Sequence, residues 1–285
     1  MSENQAQIDY WNGQAGSTWA RVQTRMDAML QPLSDKAIER ANVQPGHRVI
    51  DVGCGCGATS LALQDLGAQV WGVDVSEPML ALARERAKGR EHIAFSVADA
   101  AEQTYTPDHD LVFSRFGVMF FADPTKAFAN LRTSLNASGR LSFVCWQAPR
   151  QNPWMSLVGA AIQPLLPEPE TPIDPRAPGP FAFAEPQYLQ NILAGAGFEN
   201  IEIEDYRTQL HVADELESAI ESLSEVGPLA RALAELSGEK LDQALNVARD
   251  TLAQHMTPAG LDLEAAVWLV SADGARGLSK MSRKE

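Results

Sequence analysis

The nine residues from Val49 to Gly57, Val-Ile-Asp-Val-Gly-Cys-Gly-Cys-Gly, constrain the fold more than any other stretch of the chain. Val49, Ile50 and Val52 read as the end of a buried parallel strand, and Ala58-Thr59-Ser60-Leu61-Ala62-Leu63 opens a helix. Between them, Gly53, Gly55 and Gly57 alternate and force a tight turn. Glycine accepts positive φ there, and the missing side chains let a ligand approach the backbone. The amides of such a loop, with a helix start behind it, face whatever lies across the strand end. The combination predicts a nucleotide-type ligand.

Composition narrows the remaining choices. At 285 residues the chain has room for one large domain or two small ones. No apolar run approaches the ~20 residues that a membrane span needs. The start, Met1-Ser2-Glu3-Asn4-Gln5, lacks the basic and apolar regions of a signal peptide. A cytoplasmic protein without membrane insertion is the expectation. A formal charge of −14 repels phosphate backbones, so no nucleic-acid partner is expected. The basic cluster Arg276–Lys284 reads as a frayed terminus. Cys54, Cys56 and Cys145 make no disulfide framework. The Cys54-Gly55-Cys56 spacing is too tight for a structural zinc pair, so no metal is predicted.

Ahead of the first strand, Trp19, Val22, Met26, Met29 and Leu33 fall on one helical face. With the aromatic, glycine-punctuated Tyr10–Gly16 they form an arm over 1–35, either a cover for a sheet edge or a lid. Strands are read at Arg48–Val52, Gln69–Asp74, Ile93–Val97, Asp110–Phe116, Leu141–Trp146, Ile201–Ile203 and Ala265–Val270. Helices fall between them, from Ser76 as N-cap to Lys88, from Asp123-Pro124 to Leu135, and from Pro186 to Gly195. Gly139 turns the chain into the fifth strand. The prolines of 147–185 surround one short helix near Trp154–Leu166, and Asp214–His255 reads as helical throughout. Helix–strand alternation predicts an α/β doubly wound sheet. Asp74 ends its strand about twenty residues past the glycine loop, where a ribose-binding acid is expected.

The loop departs from the dinucleotide pattern G-x-G-x-x-G. Asp51-x-Gly53-x-Gly55-x-Gly57, followed by acids at the ends of the next two strands, resembles the class I S-adenosylmethionine-dependent methyltransferases, with small-molecule enzymes of ubiquinone and menaquinone biosynthesis as the most similar branch. That resemblance implies a Rossmann-like sheet of seven strands with the last antiparallel, under a helical cap. The core would be 36–146, 186–212 and 263–285, and the cap insertions 147–185 and 213–262. It implies S-adenosylmethionine as cofactor and S-adenosylhomocysteine as product. Contacts would come from Asp51, Gly53, Cys54, Gly55, Gly57, Asp74, Val75, Met79, Asp99, Ala100, Ser114, Phe116 and Trp19. Asp99 would meet the adenine amine, and Met79 would face the ring or fill the core.

Met119, Phe120, Trp146 and Trp154 would line the pocket of a small, largely apolar methyl acceptor. Methyl transfer from an activated donor needs placement more than side-chain chemistry, and none of the five histidines stands in a motif that selects it as a base. No catalytic residue is named, and a homodimer is left open. A SAM-fold binding protein without turnover, or a nicotinamide oxidoreductase, is the alternative.

Overall fold

The computed structural model describes residues 4–168 and 174–274. Met1–Glu3, Pro169, Pro172 and the basic cluster Arg276–Lys284 lie outside the described residues. A seven-stranded sheet runs in the order β3-β2-β1-β4-β5-β7-β6. Its strands are β1 (Arg48–Val52), β2 (Gln69–Asp74), β3 (Ile93–Val97), β4 (His109–Arg115), β5 (Leu135–Trp146), β6 (Glu199–Ala213) and β7 (Leu261–Asp273). The first five pair in parallel, while β7 lies antiparallel between β5 and β6. The last strand is therefore the antiparallel one, as expected.

Helices α1 (Gln5–Asn12) and α2 (Gln14–Ala41) precede the sheet. Then come α3 (Ala58–Asp65), α4 (Glu77–Arg86), α5 (Pro124–Arg132), α6 (Pro153–Ile162) and α7 (Pro186–Gly195). The last three are α8 (Leu216–Glu225), α9 (Gly227–Ala234) and α10 (Glu239–Ala253). Helix α2 runs past position 35 and buries Val22, Met26, Met29, Leu30, Leu33, Ala37 and Ala41. It packs on α3, α4 and the strands from β4 to β6. The arm therefore divides: α2 is largely core, while α1 and one face of α2 as far as Leu30 cover the cavity described below. Helices α6, α8, α9 and α10 pack on one another as the cap.

Several boundaries move, each for a physical reason. Gly139 lies inside β5 and not in a turn before it, because the strand begins at Leu135. The register against β4 shifts there, and a Cβ at 139 would stand 2.8 Å from the His109 carbonyl, a glycine's usual service inside a strand. Strand β6 extends well past Ile203, paired with β7 as far as Ala213, and there Leu210 and Val212 are buried while Arg207, Gln209 and His211 are exposed. The expected helix from Asp214 to His255 is three helices, broken at Gly227 (φ +83°) and Gly238 (φ +56°). Ser76 precedes α4 without capping it; its hydroxyl donates instead to the Trp11 carbonyl at 2.7 Å. Asp123 does cap α5, accepting from the Lys126 amide at 3.0 Å.

Candidate functional site

A cavity of about 480 Å³ opens at the C-terminal ends of β1 to β5, within the ~300–1,000 Å³ of small-ligand sites. In an open α/β sheet this crevice is where ligands bind. The glycine loop forms its floor. Gly53, Gly55 and Gly57 have φ of +65°, +54° and +79°, a region that other residues enter only with strain. The reason for two of these glycines differs from the expectation. A Cβ on Gly53 would come within 2.5 Å of the Gly117 Cα, and one on Gly57 would press on Ala83 and Phe95 at 3.1 Å. These two let the chain pack against itself. Only at Gly55, where a Cβ would meet the mobile end of Met79 at 2.8 Å, does the missing side chain open the cavity.

The acids divide in the same way. Asp51 is fully buried beneath the loop, where Oδ2 accepts hydroxyl bonds from Thr59 at 2.8 Å and Ser60 at 2.6 Å. Burial raises its pKa to about 6, against the pull of those two hydroxyls. Asp51, Gly57 and Ser114 do not line the cavity. Ser114 instead donates to the Val52 carbonyl at 2.7 Å and accepts from the Gly117 amide. All three shape the loop from behind.

Asp74 does line the cavity. Its Oδ2 accepts from the Gly55 amide and its Oδ1 from the Ser76 amide, both at 2.8 Å. Burial raises its pKa, opposed by these amides. A carboxylate has about four lone-pair sites, so Asp74 keeps acceptor capacity toward the cavity beyond these two amides. Asp99, at the end of β3, accepts from Asn4 Nδ2 on both oxygens at 2.9 Å and from the Ala101 amide at 3.0 Å. Cys54, Val75, Met79, Ala100 and Trp19 line the same region. Cys54, Cys56 and Cys145 are free and buried. Asn4, which no sequence signal marks, also accepts from the Ala122 amide at 2.8 Å.

Toward the cap the wall becomes aromatic. Phe116 holds φ +63°, strained for a bulky residue and typical of functional positions. Its ring stacks on Trp146 with centroids 4.0 Å apart and planes 3° from parallel. Trp146 continues to Trp154 at 5.0 Å, and Trp11 meets Phe120 edge-on at 5.3 Å. Met119 and Phe120 line this part of the cavity, joined by Met155, Val158 and Leu229. No histidine lines the cavity among the described residues. Glu225 does, held between Arg21 and Arg25. Burial pushes its pKa up, but the two guanidiniums overcome this and hold it below the usual range.

A family model described as a methyltransferase domain matches residues 50–143, the strands and loops that bear these acids. Demethylmenaquinone methyltransferase from Thermus thermophilus is 31% identical over 179 residues, 57% of this chain and 79% of that protein. The chain belongs to the class I S-adenosylmethionine-dependent methyltransferases. Another methyltransferase relative, phosphoethanolamine N-methyltransferase 1 of Zea mays, is 34% identical over 108 residues, 36% of this chain. The chain spans only 21% of that maize protein's length. Among solved structures, the YcgJ protein of Bacillus subtilis superposes with a TM-score of 0.58 at 18% identity, covering 87% of this chain and 100% of that one. This methyltransferase fold has S-adenosylmethionine as its cofactor, and the chemistry of the donor set fits it: acids at β2 and β3, then a glycine floor.

Proposed function

We propose that this methyltransferase moves a methyl group to a small, largely apolar acceptor held between the glycine loop and the cap. The observation that carries the reading is the change of wall within one cavity. Carboxylates and loop amides line it over β2 and β3, and stacked aromatic rings line it over β4 and β5. Asp74 would hold the ribose, and Asp99 with the Ala100 segment would hold the adenine. Bound there, S-adenosylmethionine supplies an activated methyl group on a sulfonium. The faces of Phe116 and Trp146 suit a cation nearby. Met119, Phe120, Trp146 and Trp154 would fix an apolar acceptor in line and exclude water, and placement of this kind contributes several kcal/mol. Glu225 is ion-paired and no histidine stands in the described wall, so neither is given the role of a base and transfer is proposed to rest on placement.

The Thermus relative is named for demethylmenaquinone, so aromatic quinols head the acceptors to test. We further place the enzyme in the cytoplasm, where its free, buried cysteines would stay reduced. The test is transfer of labelled methyl to a panel of quinols, aromatic polyketide acids, phosphoethanolamine, tRNA and protein, with S-adenosylhomocysteine measured as coproduct. Label is expected on hydrophobic small molecules. Label on tRNA or protein alone would overturn the acceptor class.

A further inference from the structure

The cap side of the cavity wall holds a charge with no role so far. Asp27, Asp74, Asp99, Arg115 and Glu225 line the wall, and each meets a polar partner. Those partners are the Arg86 guanidinium, two loop amides, the Asn4 amide, the Ser34 hydroxyl, and Arg21 with Arg25. Arg231, on α9, lines the cavity too. It lies over the Tyr10 ring, 5.6 Å from the centroid, and among the described residues it pairs with no carboxylate. In a chain with 37 acids against 23 lysines and arginines, partners are not scarce. Arg176, which also lies over a tyrosine ring, holds Glu185 as well. Attraction to a ring face uses the charge of a guanidinium and not its hydrogen-bond geometry, so the five N–H donors of Arg231 stay available.

A line of rings joins this arginine to the acceptor end of the cavity. From Phe120 the contacts run to Trp11 at 5.3 Å, from Trp11 to Tyr10 at 5.2 Å, and from Tyr10 to Arg231. All four residues line the cavity. An apolar body laid along these rings has one end beside Phe120 and the other at a guanidinium. We propose that the acceptor carries a carboxylate at the end remote from the methylated atom, and that Arg231 binds it and sets the specificity for it. This rests on the acceptor reading above. A single guanidinium matches the single charge of a carboxylate and its two oxygens. The net charge of −14 repels such an acid at long range, so its capture needs a local cation. The carboxylate is a handle and not the nucleophile. The methyl leaves the sulfonium, which lies toward Phe116 and Trp146, for an atom near Phe120, and the acid stays free. Tyr10 is on α1 and Arg231 on α9, so the handle is held where the arm meets the cap.

The test compares hydroxyphenyl-alkanoic acids of graded chain length with their primary amides, which keep the shape and lose the charge. Calorimetry on the full chain saturated with S-adenosylhomocysteine should show, at one length or more, an acid that binds about tenfold more tightly than its amide. That is the low end for a hydrogen bond to a charged group, because Arg231 is exposed and solvent screens it. The gap should shrink as salt is added. Arg231→Gln should bring the acid to the level of its amide, with the amides and S-adenosylhomocysteine bound as by the wild type. With S-adenosylmethionine as donor, no base-labile methyl ester should form from any acid. Acids that bind no better than amides at every length, including no binding by either, overturn the proposal. So does a preference that survives Arg231→Gln, and so does an ester product. A wild type that binds no S-adenosylhomocysteine defeats the methyltransferase reading itself, a different and recognisable failure.

Discussion

Over β2 and β3 the cavity wall is carboxylate and backbone: Asp74 fixed by two loop amides, Asp99 by an amide and Asn4, and a floor of positive-φ glycines. Over β4 and β5 it is side chain on side chain, with Phe116, Trp146 and Trp154 in a row and the cap behind them. The first half is made at the ends of β1, β2 and β3, neighbours in sequence and in the sheet, with Asn4 reaching in from ahead of α1. The second is assembled from segments as distant as Trp11, Phe120 and Leu229. A wall of backbone has few ways to change and recognises an invariant ligand; a wall of packed side chains can be re-cut for a new acceptor. Perturbations should therefore be sharp and ligand-specific in the first half, and graded in the second.

The largest effect should come from the glycine floor. Gly55→Val puts a β-branched residue at φ +54° with its Cβ against Met79, at a backbone cost of about 1–3 kcal/mol. Calorimetry should detect no S-adenosylhomocysteine binding, while circular dichroism still shows a folded protein. Gly53→Val is the contrast. Its Cβ meets the Gly117 backbone at 2.5 Å, and no side chain can swing aside, so that variant should fail to fold. If both variants fold and bind, the floor is not what sets the cofactor half.

Asp74→Ala comes next. Hydrogen bonds to a charged group contribute about 1.5–3 kcal/mol, so S-adenosylhomocysteine affinity should fall by an order of magnitude or more. Removal also strands the Gly55 and Ser76 amides that donate to Asp74, so a drop of a few degrees in Tm is expected with it. Unchanged affinity would reduce Asp74 to a loop brace.

The same contrast explains what could be read from the sequence. Strand ends β1 to β3, the loop and the two acids Asp74 and Asp99 were legible because each is a local signal at a short, regular spacing. Behind the loop, local reading could not say which way three residues face. Asp51, Gly57 and Ser114 lie in the right segments but face the interior, and strand alternation cannot say which side of a turn a ligand takes. Asn4 and Asp27 carried no signal, since a polar residue on a helix is ordinary until its neighbours are known. Arg115 carried one: a cation just past the buried run Leu111–Phe113 is a costly choice unless it meets a partner.

Helix α1 offers a smaller test across the boundary of the two halves. None of its side chains from Gln5 to Asn12 is buried. It is fastened at its ends, by Asn4 to Asp99 and Ala122 and by Asn12 to the Val75 carbonyl and the Glu77 amide. Segments held by few polar contacts open at little cost. Deleting residues 1–13 should leave Tm nearly unchanged, because the core of α2 begins beyond it at Gly16 and Val22. It should weaken S-adenosylhomocysteine binding severalfold, through loss of Gln7, Tyr10 and Trp11 from the cavity wall. A large fall in Tm would make α1 structural packing and not a lid.

The smallest effect separates the cap side from the cofactor half by pH. His211, on β6, faces Asp262 on β7 at 2.8 Å and Asp214, just before α8, at 3.2 Å. The hydrogen bond to Asp262 raises its pKa most, with Asp214 adding to it. A histidine whose folded pKa is raised holds its proton more tightly when folded. Its stabilisation is therefore complete below the ordinary value near ~6.5 and disappears as pH rises through the raised folded value. The group is nearly half exposed, so solvent screens the interaction and the effect should be slight. Thermal scans of His211→Gln against wild type should show a small deficit in acid that vanishes in alkali. Affinity for S-adenosylhomocysteine should not follow it, because His211 lies outside the cavity wall. A deficit that persists in alkali would mean that the imidazole packs the β6–β7 pair and its charge is incidental.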